Sequence, residues 1–241
     1  MLVDQSVRDA ALVLRIGLGY DEWLNRLLAQ SDNSRVRPGA EGYLDLSKHI
    51  ALLEVQGRSV ESRSGHAHGA ANPHYWLDPA NGELLSAAIA EALVRAAPEA
   101  RGEIEAGQKR FASELRSGID RWARQLEPFR GAPVVTYHNG WPYFARRFHL
   151  NILDAIEPKE GVPPSPTRLV SLAARMRQAR VRAILQEPFE PTEASRFLSE
   201  RTGARVVVLA PSVGSLPGTD DYLMLFDRDV ALLADALAGS R

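Results

Sequence analysis

Cysteine is absent from this sequence of 241 residues, and disulfides and thiolate metal sites are excluded with it. Any metal must therefore be held by His, Asp or Glu. Long hydrophobic runs are absent too, because no apolar stretch approaches the ~20 residues needed to span a bilayer. The N-terminal segment MLVDQSVRDAA has no basic stretch followed by an apolar one, so the sequence shows no signal peptide.

An excess of charge of either sign is also missing. The 29 basic and 30 acidic residues give a formal net charge of −1, and the arginines are scattered rather than grouped. This balance argues against a nucleic-acid-binding surface. With 45% hydrophobic and 24% charged residues, the chain has the composition of a globular protein with one large domain or two small ones.

The second half of the chain, residues 133–241, alternates between short apolar stretches and amphipathic ones. The apolar stretches are rich in β-branched residues, whereas the amphipathic ones have helical spacing. This alternation predicts a parallel sheet covered on both faces, where ligands bind beyond the carboxyl ends of the strands. The predicted strands are Pro133–Tyr137, Asn151–Ile156, Val181–Leu185 and Arg205–Leu209, and the predicted helices are Trp141–Phe148, Thr167–Ala179, Pro191–Thr202 and Asp227–Leu237.

Residues 98–129 carry one apolar stripe at helical spacing, which predicts a single helix of about 45 Å. A helix of this length between two α/β patterns is best interpreted as a connector. We therefore predict an N-terminal α/β lobe at residues 1–97, the connecting helix at 98–129, and a C-terminal α/β lobe at 130–241.

The N-terminal lobe is less regular than the C-terminal one. Ala11–Ile16 predicts a buried strand, and a helix opened by Asp21 follows it. Tyr43–Ile50 fits neither element clearly. Leu77–Ala96 predicts a helix with Asp78 at its N-cap. The strands are too few for a sheet like the later one, so we expect this lobe to be incomplete at its N-terminal edge.

His, Asp and Glu side chains lie where predicted elements begin or end, and these are the candidates for a binding site. Each also has a structural interpretation. A strand-end histidine can cap backbone groups, a histidine pair can lie in a solvated loop, and a carboxylate can stabilise a turn or a helix start. None of these signals is specific alone. The candidates are His66, His68, His74, His138, Glu187, Asp220 and Asp221.

Three motifs, NPHYWLDPANG, VVTYHNGWPYFARRF and GTDDYLMLFDRD, occur in this order along the chain. In combination they resemble the metal-binding solute-binding proteins of zinc and manganese ABC transporters, the ZnuA/TroA-like group. The stretch ALVLRIGLGYDEWLNRLL is also similar to a segment of that family. The resemblance covers essentially the whole chain. It implies two Rossmann-like α/β lobes with parallel sheets, joined by a long rigid helix, with the metal in the interlobe cleft.

Carried over by position, the resemblance implies that His74, His138 and Asp220 ligate the metal. Imidazole nitrogens and a carboxylate oxygen suit Zn²⁺. Manganese-selective members often carry Glu where this chain has His138, so this residue favours zinc over manganese. The resemblance also places His66 and His68 in a His-rich loop. These two histidines and the strand-end Glu187 are candidate accessory ligands.

The function implied by the resemblance is capture of Zn²⁺ and its delivery to an ABC permease, with no reaction catalysed. A periplasmic location, or an extracellular membrane-associated one, follows from the family, and a metallochaperone is a further candidate partner. We expect a monomer that binds no nucleic acid. The family's first histidine ligand would lie before residue 1, so we also expect the chain to be N-terminally truncated.

Three alternatives stay open at this point. The first is a manganese-binding member of the same family. The second is a metal-dependent hydrolase, because three protein ligands and an open position describe a catalytic zinc site, with Glu187 as the general base. The third is a surface adhesin built on the same fold.

Overall fold

The computed structural model describes residues 2–53, 71–159 and 161–239. It is an α/β structure in which the sheets are parallel, as the sequence predicts. None of the helices in these described ranges has the length and hydropathy that crossing a bilayer requires.

The chain divides into two compact units. The first unit contains Met1–Trp76 and Ala80–Leu115, and the second contains Leu77–Pro79 and Arg116–Arg241. The short segment Leu77–Pro79, although it comes early in the chain, therefore packs with the second unit. The predicted boundaries at residues 97 and 129 stay a prediction.

The first unit is built on a two-stranded parallel sheet. Strand β1, Val13–Arg15, pairs with β2, Tyr43–Asp45, with Leu14 opposite Leu44. Two helices of this unit pack against each other, α1 at Leu2–Asp9 and α2 at Trp23–Gln30. Their shared core consists of Val7, Leu24, Leu28 and Val36. The sequence did not predict α1, and it left Tyr43–Ile50 ambiguous, where the structure has β2 followed by a 3₁₀ turn at Leu46–His49.

Asp21 does not open α2, contrary to the sequence prediction. The helix begins at Trp23, and the buried Asp21 carboxylate instead accepts hydrogen bonds from the backbone N–H groups of Ile16 and Gly17, at 2.7 and 3.2 Å. It also accepts two from the guanidinium of Arg15, at 2.9 and 3.1 Å. The physical reason is the turn after β1, where Gly17 has a φ of 76° and the backbone N–H groups beyond the strand need an acceptor.

Two long helices follow. Helix α3 covers Pro79–Ala96, and helix α4 covers Arg101–Leu126 with 3₁₀ turns at Pro98–Ala100 and Glu127–Phe129 on either side. The predicted apolar stripe is present on α4, where Leu115, Trp122 and Leu126 are buried. The division between the two units falls inside α4. That this helix acts as a rigid connector stays a prediction.

The second unit contains a four-stranded parallel sheet with the order β4-β3-β5-β6. Each strand lies within two residues of its predicted bounds, because continuous β-branched stretches identify buried parallel strands well. The strands are β3 at Pro133–Thr136, β4 at Asn151–Ala155, β5 at Ala183–Gln186 and β6 at Arg205–Val208. The helices are α5 at Pro142–Arg147, α6 at Pro166–Ala179, α7 at Thr192–Thr202 and α8 at Tyr222–Ala238.

Helix α8 begins five residues before its predicted start at Asp227. Asp221 accepts a hydrogen bond from the backbone N–H of Met224 at 2.8 Å and is the N-cap of this helix. The sequence interpretation that Asp221 caps the next element is therefore correct. Leu225, Phe226 and Val230 of α8 are buried in the core of the second unit.

Candidate metal centre

His74 lies in the first unit, immediately before a 3₁₀ turn at Tyr75–Leu77. The side-chain oxygen of Asn72 accepts a hydrogen bond from the backbone N–H of His74 at 2.9 Å and lies 3.0 Å from its Nδ1. Because this oxygen can only accept, the contact favours a proton on Nδ1. In that tautomer Nε2 is the nitrogen through which histidine can bind a metal.

Two aromatic rings restrict the orientation of this imidazole. The ring centroid of Tyr20 lies 6.0 Å from that of His74 in an edge-on arrangement, and the centroid of Trp76 lies 5.3 Å away. Tyr20 and Trp76 are themselves in edge-on contact at 5.2 Å. With only 8% of its surface exposed, His74 is therefore held by one amide and two rings.

His138 lies in the second unit, two residues after β3. Its Nδ1 is 3.4 Å from Oε2 of Glu157, and both side chains are 16% exposed. Glu157 follows β4, which pairs with β3 in parallel, so the carboxyl ends of both strands lie at one edge of the sheet. Glu157 is not among the residues predicted from the sequence, although an acidic residue directly after the predicted strand Asn151–Ile156 was a signal that could have found it.

Two further carboxyl groups lie near His138. Glu187 follows β5, and burial, with the negative charge of Glu157 as a smaller cause, raises its pKa to about 7, against a hydrogen bond from Trp141 that lowers it. Burial raises the pKa of Glu190 to about 8. The Glu190 carboxyl accepts hydrogen bonds from the backbone N–H groups of Glu187, at 2.6 Å, and of His138. Glu187 is among the residues predicted from the sequence, whereas Glu190 is not.

Asp220 lies on the loop between β6 and α8, and its side chain is exposed. Its neighbours are both fixed: the hydroxyl of Thr219 donates to the carbonyl of Leu216 at 2.7 Å, and Asp221 caps α8. The backbone N–H of Gly214 closes the loop by donating to the carbonyl of Thr219 at 2.7 Å. Of the two neighbouring aspartates, Asp221 is thus occupied with the helix, whereas Asp220 extends from an anchored loop.

The structure brings His138 together with Glu157, Glu187 and Glu190 at the carboxyl edge of one sheet. His74 belongs to the first unit, and His66 and His68 lie outside the described residues. Within residues 2–53, 71–159 and 161–239, no group of three or more His, Asp or Glu side chains could hold a metal ion. The assignment of His74, His138 and Asp220 as ligands, with Glu187 as an accessory, stays a prediction.

Parallel α/β units with histidines and carboxylates at the strand ends define a class of binding protein. A comparison with protein families is more specific: residues 4–236 match the model of ZnuA, described as zinc-uptake complex component A, periplasmic. The chain belongs to this family of metal-binding solute-binding proteins. Because the family consists of solute-binding proteins, the hydrolase alternative loses its support.

Individual relatives agree with this assignment. The chain is 29% identical over 167 residues to the high-affinity zinc uptake system protein ZnuA of Brucella suis, covering 68% of this chain and 50% of that protein. It thus spans about half the length of the first curated relatives it matches. A crystal structure of a ZnuA deletion mutant with zinc bound is 25% identical, with a TM-score of 0.79, covering 99% of this chain and 83% of that one.

A second solved structure has a different metal. The manganese-bound periplasmic metal-binding protein of Candidatus Liberibacter asiaticus is 19% identical, with a TM-score of 0.79, covering 97% of this chain and 83% of that chain. At this identity the likeness concerns the fold alone. The resemblance inferred from the sequence and the α/β fold with parallel sheets are therefore confirmed.

Proposed function

We propose that this chain captures Zn²⁺, with His74, His138 and Asp220 as ligands, and delivers it to the permease of an ABC transporter. The observation that carries the proposal is the state of His74: its Nδ1 faces the side-chain oxygen of Asn72 at 3.0 Å. An imidazole whose Nδ1 is held by an acceptor in this way is oriented to bind a metal through Nε2.

Zinc is favoured over manganese by the types of ligand. Two imidazoles and one carboxylate form a nitrogen-rich set, which suits Zn²⁺, whereas Mn²⁺ prefers oxygen ligands. The name of the Brucella relative also refers to zinc. Manganese binding is the alternative, and one related protein has been crystallised with that ion. Direct competition between the two metals distinguishes these possibilities.

Delivery requires partners and a location, which we infer from the family. The acceptor is an ABC permease, a metallochaperone is a further candidate donor, and the place is the periplasm or the outer face of a membrane. We propose that the chain acts as a monomer. The description of the matching family as periplasmic supports the location.

The test is a calorimetric titration of the purified chain with zinc and manganese, in parallel with His74→Ala and His138→Ala. Loss of a ligand is expected to weaken zinc binding by more than the ~10–100-fold seen when only a supporting residue is lost. His49 and His149 are exposed and provide matched controls, His49→Ala for the first unit and His149→Asn for the second. Asparagine is the choice at residue 149 because φ is 56° there.

Stoichiometric zinc binding that both ligand substitutions weaken, and neither control changes, supports the proposal. Equal binding by the wild-type chain and both alanine variants contradicts it. If manganese binds more tightly than zinc, the proposed ligands stand and the proposed cargo is manganese instead of zinc.

A further inference from the structure

Backbone hydrogen bonds hold the segments that carry His138 and Glu157 side by side. The ladder of the β3–β4 pair continues beyond both strands, because the backbone N–H of Ile156 donates to the carbonyl of Thr136 at 2.8 Å. The backbone N–H of Glu157 then donates to the carbonyl of Tyr137 at 3.0 Å. The backbone next to His138 is therefore in register with that of Glu157.

The carboxylate of Glu157 faces one nitrogen of the His138 ring. Oε2 of Glu157 lies 3.4 Å from Nδ1, and a carboxylate only accepts hydrogen bonds. This contact favours the tautomer with the proton on Nδ1, in which Nε2 is the nitrogen that can bind a metal. Carboxylate–histidine pairs of this kind orient metal-binding imidazoles and raise their basicity.

The backbone of His138 is held by a second carboxyl group. Glu190 accepts from the backbone N–H of His138 and, at 2.6 Å, from that of Glu187. The carbonyl of Glu190 in turn accepts from the side-chain amide of Gln186 at 3.2 Å. Glu190 thereby joins the segments that follow β3 and β5, and His138 is fixed at its main chain as well as at its ring.

We propose that Glu157 is a positioning residue for metal capture, which holds the imidazole of His138 in the Nδ1–H tautomer with Nε2 available to the metal. This inference rests on the proposed function, since it assigns a role towards a ligand of the cargo. Glu157 acts through His138 and is not itself a ligand. The role is specific to this residue, because the nearby Glu187 and Glu190 carboxyls contact the backbone and Trp141 instead.

The first experiment needs no metal. Nitrogen-15 NMR of histidine-labelled, metal-free protein at pH 8 reports the tautomer of each ring. We expect Nδ1–H for His138 in the wild-type chain and in Glu157→Gln, whose amide oxygen can still accept. In Glu157→Ala we expect a shift towards the Nε2–H form. An unchanged tautomer in Glu157→Ala overturns the proposal.

The second experiment measures zinc affinity by competition with a chromophoric chelator. Glu157→Ala is expected to bind zinc about 10–100-fold more weakly, with most of the loss restored in Glu157→Gln. Glu193→Gln is the matched control. It removes an exposed carboxylate whose charge also acts on Tyr137, next to His138. An equal loss in this control would show a general charge effect and overturn the proposal.

Cobalt substitution separates positioning from direct ligation. A positioning role predicts that the Co²⁺ complexes of Glu157→Ala and the wild type have visible absorption of similar intensity, since the coordination number is unchanged. A change in intensity that indicates a lost ligand would make Glu157 a ligand and overturn the proposal. Thermal unfolding of the metal-free variants checks that each is folded, with Glu157→Gln as the near-isosteric substitute.

The outcomes also separate this inference from the proposed function. If the wild-type chain binds no zinc, both fail. If it binds zinc and His138→Ala weakens the binding while Glu157→Ala does not, the proposed function stands and the positioning role fails alone.

Discussion

His74 and His138 are oriented by different means. The neutral amide of Asn72, two positions away in the chain, holds the ring of His74, and aromatic rings enclose it. The ring of His138 faces the carboxylate of Glu157, 19 positions away on a neighbouring strand, with two more carboxyl groups nearby. A local sequence motif is enough to build the first arrangement. The second arises only when the sheet assembles.

Two buried acids, one in each unit, also differ in their hydrogen-bond partners. In the first unit, Asp21 is fully partnered by Arg15 and two backbone amides. In the second unit, Asp229 has one oxygen bound to the backbone N–H of Ala210 at 2.9 Å, and its other oxygen has no hydrogen-bond partner in the described structure. The surroundings of Asp229 thus favour its protonated form. The following substitutions test these contrasts.

The largest effect is expected for Asp21→Ala. The substitution leaves the buried guanidinium of Arg15 without its carboxylate partner. It also leaves the backbone N–H groups of Ile16 and Gly17 without an acceptor. Breaking a buried pair from one side costs about 3–5 kcal/mol of unfolding free energy. Urea unfolding followed by circular dichroism measures it. The adjacent exposed Glu22→Ala is the control and should stay within about 0.5 kcal/mol of the wild type. Similar losses of unfolding free energy in Asp21→Ala and Glu22→Ala would contradict this prediction.

Asp229→Asn should change how stability depends on pH. Burial raises the pKa of Asp229 to about 8, so the folded state binds its proton more tightly than the unfolded state does. The wild-type chain therefore loses stability as pH rises from about 4 to 8, whereas asparagine cannot ionise and does not. We expect Asp229→Asn to gain roughly 4 kcal/mol relative to the wild type between pH 5 and pH 9. Parallel pH profiles of the two proteins would contradict this.

Asn72→Ala tests the neutral support of His74. Removing the amide takes away the acceptor for both the backbone N–H and Nδ1 of His74, and zinc affinity should fall about 10–100-fold. Asn72→Asp keeps an acceptor and gives His74 a carboxylate, as His138 has, so its affinity should stay within about threefold of the wild type. Competition with a chelator measures both. Equal losses in the two variants would mean that the acceptor is not what matters.

The smallest expected effects on stability are those of substitutions at two neighbouring aspartates, Asp221 and Asp220. Asp221→Ala removes the N-cap of α8 and should cost about 1 kcal/mol of unfolding free energy, with zinc affinity retained. Asp220→Ala should show the reverse, a loss of zinc affinity with little change in stability, because its side chain is exposed. Thermal unfolding and zinc titration of both variants give the comparison. It fails if both variants change in the same way.

Much of the second unit could be predicted from sequence because its signals are local. Short apolar stretches between helical patterns identified all four strands, and the cap at Asp221 is visible as an acidic residue before an apolar run. Asp21 presented the same signal, but it served the turn after β1 instead, since tertiary demand for an acceptor outweighed local propensity. A local sequence pattern does not show whether such an aspartate caps a helix or accepts hydrogen bonds in a turn.

The support of His138 could be predicted only in part, for a topological reason. Glu157 and Glu190 reach this residue because β3 lies between β4 and β5 in the sheet, and the strand order is not written in the periodicity of any one segment. The candidates His74, His138 and Asp220 came from motifs of adjacent residues, in which resemblance to a family is easiest to see.

The central place of β3 in the sheet bears on how quickly an ion would leave. Because β3 pairs on both sides, the strand that leads to His138 is held by two ladders, and amides of such a strand exchange with solvent among the slowest in a protein. Asp220, by contrast, lies on an exposed loop. The dissociation rate of the cargo would then be set by the loop that carries Asp220, while His138 remains as the last point of attachment.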